Sequence, residues 1–130
     1  METEHAYAKV RLICGEGSVE VDALFDTGTS RSVMSEDLAR RLSGCLMRLP
    51  EDQRYVLQTG EKGGQVRIEG QVRARVVLPG CEVPSTPFEV SPDLRPGHLI
   101  VGRTQLDEWG IAFTDQGPRP KVCPPNLEIL

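Results

Sequence analysis

The sequence predicts an all-β-dominated domain with one or two short helices, and three observations point there. Apolar and polar residues alternate with a period of two in several separate stretches, the pattern of strands with one buried face. Within 130 residues, 13 Gly and 10 Pro interrupt those stretches so often that long helices have no room. Only two segments, one after Ser35 and one after Thr104, join a capping residue to a short helical run. A chain of this length fits one domain with a modest single core, and it contains no internal repeat.

In order along the chain, Val10, Leu12 and Cys14 alternate with Lys9, Arg11 and Ile13 to give a first strand. Residues 15–18 form the hairpin turn into a second strand, in which Val19, Val21, Ala23 and Phe25 alternate with Glu20, Asp22 and Leu24. Ser35 is a good N-cap, Glu36 and Asp37 suit the positive end of a helix, and Gly44 ends a helix continuing to Leu42. Residues 45–53 read as irregular. Tyr55 to Leu57 and Val66 to Ile68 flank a polar, glycine-rich tip that contains Gly60, Gly63 and Gly64, so this stretch reads as a mobile hairpin. Val72, Ala74, Val76 and Leu78 make a long one-faced strand, and Phe88 and Val90 a short one. Pro84, Pro87, Pro92 and Pro96 confine the neighbouring segments to loops or edges. The continuous apolar run Leu99-Ile100-Val101 suits a central strand buried on both faces. Thr104 caps a short helix through Trp109, and Ile111 to Phe113 form a last strand before residues 116–125, whose four prolines read as a linker. An apolar end, residues 126–130, is long enough to add a strand to a partner.

The formal net charge of −4 comes with interspersed charges and no basic block, which argues against a nucleic-acid partner. No window has the length of an apolar membrane span, and the chain opens on acidic residues where a signal peptide would carry basic ones, so a cytoplasmic protein is expected. Cys14, Cys45, Cys81 and Cys123 are scattered without a CxxC pair, and only His5 and His98 could assist them. No metal or other cofactor is expected, and the thiols read as reduced.

The second strand runs into Asp26-Thr27-Gly28-Thr29-Ser30, a tight turn that exposes a carboxylate while the backbone packs closely behind it. This turn, followed by Ser32-Val33-Met34-Ser35 and much later by Leu99-Ile100-Val101-Gly102-Arg103, resembles the retropepsin-like aspartic proteases. The resemblance runs in order from about Val10 to Phe113. It implies a retropepsin-like acid protease barrel over residues 1–115, followed by a proline-rich C-terminal tail over 116–130.

It also implies roles for individual residues. Asp26 would be the catalytic acid. Thr27 would hold two acidic turns together across a dimer axis, and Gly28, Thr29 and Ser30 would line the substrate cleft. Gly60, Gly63 and Gly64 would belong to a flap closing over an extended peptide, and Ile100 and Val101 would pack behind Asp26 beside that peptide. Carboxylate catalysis of peptide hydrolysis needs two acids sharing one proton. The chain has a single Asp-Thr-Gly, so a homodimer would supply the second. The alternative is a retropepsin-fold module that binds peptide or dimerises without catalysis. One departure stands out: retroviral members carry an acidic residue where this chain has Ser30, which leaves Arg103 without the family's usual partner.

Overall fold

The computed structural model describes residues 4–59 and 64–123, so the expectations placed on Gly60, Gly63 and residues 126–130 lie outside the described residues. Two ten-residue strands, β1 (His5–Cys14) and β2 (Gly17–Asp26), pair antiparallel along their whole length, from His5 opposite Asp26 to Cys14 opposite Gly17. Gly15 makes the connection possible at φ +56°, where a side chain is disfavoured. Next come β3 (Val33–Ser35) and a short helix, α1 (Glu36–Arg40), whose N-terminus is capped as expected: the Leu38 N–H donates to Ser35 Oγ at 3.1 Å.

Residues 45–53 are more ordered than the sequence suggested. A 3-10 turn over Ser43–Cys45 leads into β4 (Leu46–Arg48), and a second such turn covers Glu51–Gln53. Pattern gave no sign of β4 because it is held by its pairing with a distant strand. The strands β5 (Tyr55–Gln58) and β6 (Gln65–Ile68) form the expected hairpin, with the Thr59 N–H donating to the Gly64 carbonyl at 3.0 Å.

A longer hairpin follows, β7 (Gly70–Leu78) and β8 (Cys81–Ser91). β8 is much longer than the strand expected around Phe88 and Val90. It tolerates Pro84 and Pro87 because its far side is engaged only over Glu89 to Ser91, by β3, and because the register shifts between Ala74 and Val76 opposite Pro84. The central strand is β9 (Leu99–Val101), fully buried as expected. It is followed by α2 (Arg103–Glu108), β10 (Ile111–Thr114) and β11 (Gly117–Pro120). Two corrections fall here. Gly102, not Thr104, caps α2, and the linker expected over 116–125 begins with β11, which pairs with β10. A two-stranded ribbon demands few donors of its edges, so Pro118 and Pro120 fit.

Six strands close into a barrel in the order β1-β2-β9-β3-β8-β7, with β7 returning to β1 at Leu12 opposite Val76, and β4 extends the sheet beyond β7. Closure leaves the ring without a free edge. Leu12, Phe25, Met34, Leu38, Phe88 and Leu99 fill the interior, each fully buried side chain worth about 1.5–3 kcal/mol. A smaller cluster of Val33, Val66 and Ile68, joined by Leu49, Leu57 and Leu94, seats the β5–β6 hairpin on the barrel.

The four cysteines, expected as free thiols, are paired: Cys14 with Cys45 and Cys81 with Cys123, at Cα separations of 6.1 and 5.5 Å. Sequence spacings of 31 and 42 residues carry no signal for this. The pairing follows from the fold, which sets the end of β1 against the first 3-10 turn and the start of β8 against the chain beyond β11.

Candidate active site

Period-two geometry decides which side chains of the two central strands meet. On β2, Ala23 and Phe25 enter the core, so Leu24 and Asp26 occupy the opposite face. On β9, Leu99 and Val101 enter the core, which leaves Ile100 and, one step earlier, His98 on that same opposite face. β2 and β9 run parallel with Leu24 beside Ile100 and Phe25 beside Val101. Leu24, Asp26, His98 and Ile100 therefore share one wall. Thr29, Thr59, Val66, Asp93, Leu94 and Arg95 complete a cleft of about 320 Å³.

The acidic turn is fixed from behind. β9 lies between β2 and β3, the two strands that the turn connects. Gly102, at the end of β9, approaches the Arg31 backbone so closely that a Cβ built there would lie 2.4 Å from the Arg31 carbonyl oxygen. The Arg103 N–H donates to the Thr29 carbonyl at 2.7 Å, and the Thr104 N–H and hydroxyl both donate to the Ser30 carbonyl, at 3.1 and 2.9 Å. Buried Ser32 ties the arrangement together, its Oγ donating to Gln105 Oε1 at 2.6 Å and accepting the Gly102 N–H at 3.0 Å. Without an acidic partner at position 30, the Arg103 guanidinium instead donates to the Thr27 carbonyl at 3.0 Å.

Within the turn, the Gly28 N–H donates to Asp26 Oδ1 at 2.8 Å, and the buried Thr29 hydroxyl lies 3.5 Å from Oδ2. These donors orient the carboxylate. Thr27 faces the start of the chain: its hydroxyl accepts the Glu4 N–H at 2.8 Å and donates to the Glu4 carbonyl at 3.2 Å. Of the residues the sequence singled out, Asp26, Thr29 and Ile100 line the cleft and Gly28 touches the acid. Val101 lies in the core, Ser30 engages α2 through its carbonyl, and Gly64 closes the described end of the β5–β6 hairpin.

Thr59 and Val66 belong to the hairpin that the sequence singled out, whereas Leu24, Asp93, Leu94, Arg95 and His98 escaped the sequence reading, although alternation on β2 and β9 contained the signal for Leu24 and His98. Asp93 is held by Arg67, which donates through its backbone N–H at 2.8 Å and through Nε and Nη2 of its side chain, the latter at 2.7 Å. The Arg67 guanidinium, and then its backbone N–H, hold the Asp93 carboxyl below the ordinary carboxylate range. Beside the turn, Arg31 Nη1 donates to Glu89 Oε1 at 2.9 Å and to the Tyr55 hydroxyl at 3.3 Å. Burial of the Tyr55 hydroxyl, followed by its interactions with Glu89, pushes that phenol up to about 12. Among the described residues, no three His, Cys, Asp or Glu side chains are grouped as metal ligands.

A family model for aspartyl proteases matches residues 8–104, a span that includes the acidic turn, β9 and Gly102. No curated protein matches the chain. Among solved structures, it is similar to the crystal structure of the retroviral protease-like domain of Ddi1 from Leishmania major, with a TM-score of 0.57 and 22% identity over 85% of this chain and 83% of that one. It is also similar to a retropepsin-like aspartic protease from Rickettsia conorii, with a TM-score of 0.48 and 16% identity over 88% of this chain and 90% of that one. The Ddi1 domain agrees with the closed barrel seen here, and the family match covers well over half the chain. The chain belongs to the aspartyl protease family, and its fold is retropepsin-like.

Proposed function

We propose that the protein is an aspartic endopeptidase that works as a homodimer, with one Asp26 from each subunit forming the catalytic pair. The observation that carries this reading is the setting of Asp26: a half-buried carboxylate on the wall of a cleft, oriented by Gly28 and Thr29, on a turn braced by β9. The other acid of the cleft, Asp93, is occupied by Arg67. A second equivalent carboxylate therefore comes from a second copy of the turn.

In such a pair the ionised carboxylate takes a proton from a water, which attacks the peptide carbonyl carbon while the neutral carboxyl donates its proton to the carbonyl oxygen. Collapse of the tetrahedral diol then breaks the C–N bond as the carboxyl that now holds the proton passes it to the leaving amine and the other carboxylate takes a proton from a diol hydroxyl, which restores the singly protonated pair. Leu24, Val66, Leu94 and Ile100 supply apolar wall for a peptide side chain, and the β5–β6 hairpin stands over the cleft as the flap.

The test is Asp26→Asn, which keeps the shape of the turn and removes the acid. Peptide cleavage at mildly acidic pH should fall by at least about a thousandfold, the scale of losing an essential catalytic group, and excess Asn variant should poison wild type through mixed dimers. Cleavage by the purified variant at the wild-type rate overturns the assignment. Specific activity that stays constant on dilution of a monomeric protein overturns the shared pair.

A further inference from the structure

The charged side chains around the cleft are not all held in ion pairs. Its acids are Asp26 and Asp93, and its basic side chains are Arg95 and His98. Asp93 is satisfied by Arg67 through a bidentate guanidinium contact and a backbone N–H. Arg95 has no such partner: it makes no ion pair among the described residues, and its guanidinium reaches only the Tyr7 hydroxyl, at 3.4 Å.

The Asp93-to-His98 loop forms a ridge, because Arg95 and His98 also line a neighbouring open hollow of about 520 Å³ with Tyr7, Asp22, Pro96 and Gly97. The acid of that hollow, Asp22, lies 3.7 Å from Lys9 Nζ. The cleft thus has an apolar floor and an arginine at its edge with its fork available. A guanidinium in that state matches a carboxylate bidentately, and repels a lysine or arginine side chain placed beside it.

We infer that Arg95 selects substrates carrying an acidic side chain, glutamate above all, at the position that enters the cleft beside Asp26. The methylenes of glutamate suit Leu24, Leu94 and Ile100, and its carboxylate reaches the rim. This inference rests on the proteolytic reading above.

The test compares peptides that are identical except for Glu, Gln or Lys at one position flanking the scissile bond, cleaved in competition by wild type, Arg95→Ala and Arg95→Glu. Wild type should favour Glu over Gln by at least about tenfold in kcat/KM, the scale of one charge-assisted hydrogen bond. Arg95→Ala should flatten the preference, and Arg95→Glu should invert it towards Lys, an inversion that a merely structural role for Arg95 does not produce. Equal cleavage of all three peptides by wild type, or a Glu preference that survives Arg95→Glu, overturns the inference. The same peptides with a reduced, uncleavable bond are measured by equilibrium binding. A Glu preference in binding without any cleavage keeps the selection by charge and removes the proteolytic reading, whereas equal binding overturns the selection whatever the activity.

Discussion

Gly102→Ala tests the brace behind the acidic turn. The added Cβ would lie 2.4 Å from the Arg31 carbonyl oxygen, 2.5 Å from its carbon and 2.8 Å from its nitrogen, and ordinary contact starts near 3.4 Å. All three are backbone atoms, so no rotamer relieves the overlap. The chain at Arg31 has to move by about 1 Å, the 3.4 Å of ordinary contact less the 2.4 Å available. Overpacking of this kind costs about 1–3 kcal/mol. The Gly102 N–H to Ser32 bond and the Arg103 N–H to Thr29 bond are strained by the same movement, adding about 1 kcal/mol each. A total of about 3–5 kcal/mol lowers the melting temperature of a domain this size by roughly 9–20 °C. Thermal unfolding followed by circular dichroism measures it, with Gly44→Ala as the control, since a Cβ there meets only Cys14 Sγ at 3.7 Å. If Gly102→Ala melts as wild type does, the close approach of β9 to the turn is wrong, and with it the account of how Asp26 is held.

Two further outcomes follow from individual contacts. Ser32→Ala strips a buried partner from both the Gly102 N–H and Gln105 Oε1, so the urea midpoint should fall by the equivalent of about 2–4 kcal/mol with the slope preserved; an unchanged midpoint refutes the role of Ser32. Asp93→Asn tests the tie between β6 and the cleft loop through pH: the folded Asp93 carboxyl sits below its unfolded value, so its stabilisation is complete above about pH 5 and is lost as pH falls through the folded value, below about pH 4. The stability gap between wild type and this variant should narrow as the pH falls below about 4, and a gap that does not change with pH contradicts the ion pair.

Much of this was legible because local pattern and tertiary structure agree. The long alternating strands, the Ser35 cap, the β5–β6 hairpin and the buried Leu99–Val101 strand follow from period, capping and composition. What escaped is what depends on distant partners. β4 forms because β7 offers it an edge, β8 extends through two prolines because its far side is unpaired there, and the cysteines meet only after the barrel closes. At the site, the acidic turn announced itself, whereas the Asp93-to-His98 loop did not, since Pro92 before it and Pro96 within it read as punctuation. Alternation carried one step further would have placed His98 and Leu24 beside Asp26 and Val101 in the core.

Thr27 bears on where dimer affinity comes from. Its N–H donates to the Glu4 carbonyl at 2.9 Å while its hydroxyl bonds both the N–H and the carbonyl of Glu4, which extends the β1–β2 ladder one residue beyond His5 and Asp26. On the proposed mechanism, a Thr27 that reaches across the dimer axis first gives up Glu4. Hydrogen bonds lost to Glu4 are then replaced by hydrogen bonds of the same kind to the partner, and since each has a net worth of only about 0.5–1.5 kcal/mol, the exchange is close to neutral. Affinity must instead come from apolar surface covered around the turns, at about 25 cal/mol per Å². Tyr7, three residues on from Glu4, is 53% exposed and is apolar surface of the kind such a contact would cover. In the proposed dimer, the exchange at Thr27 would therefore set the register of the two turns, and so the approach of the two carboxylates, while the surrounding apolar surface would set how tightly the subunits hold.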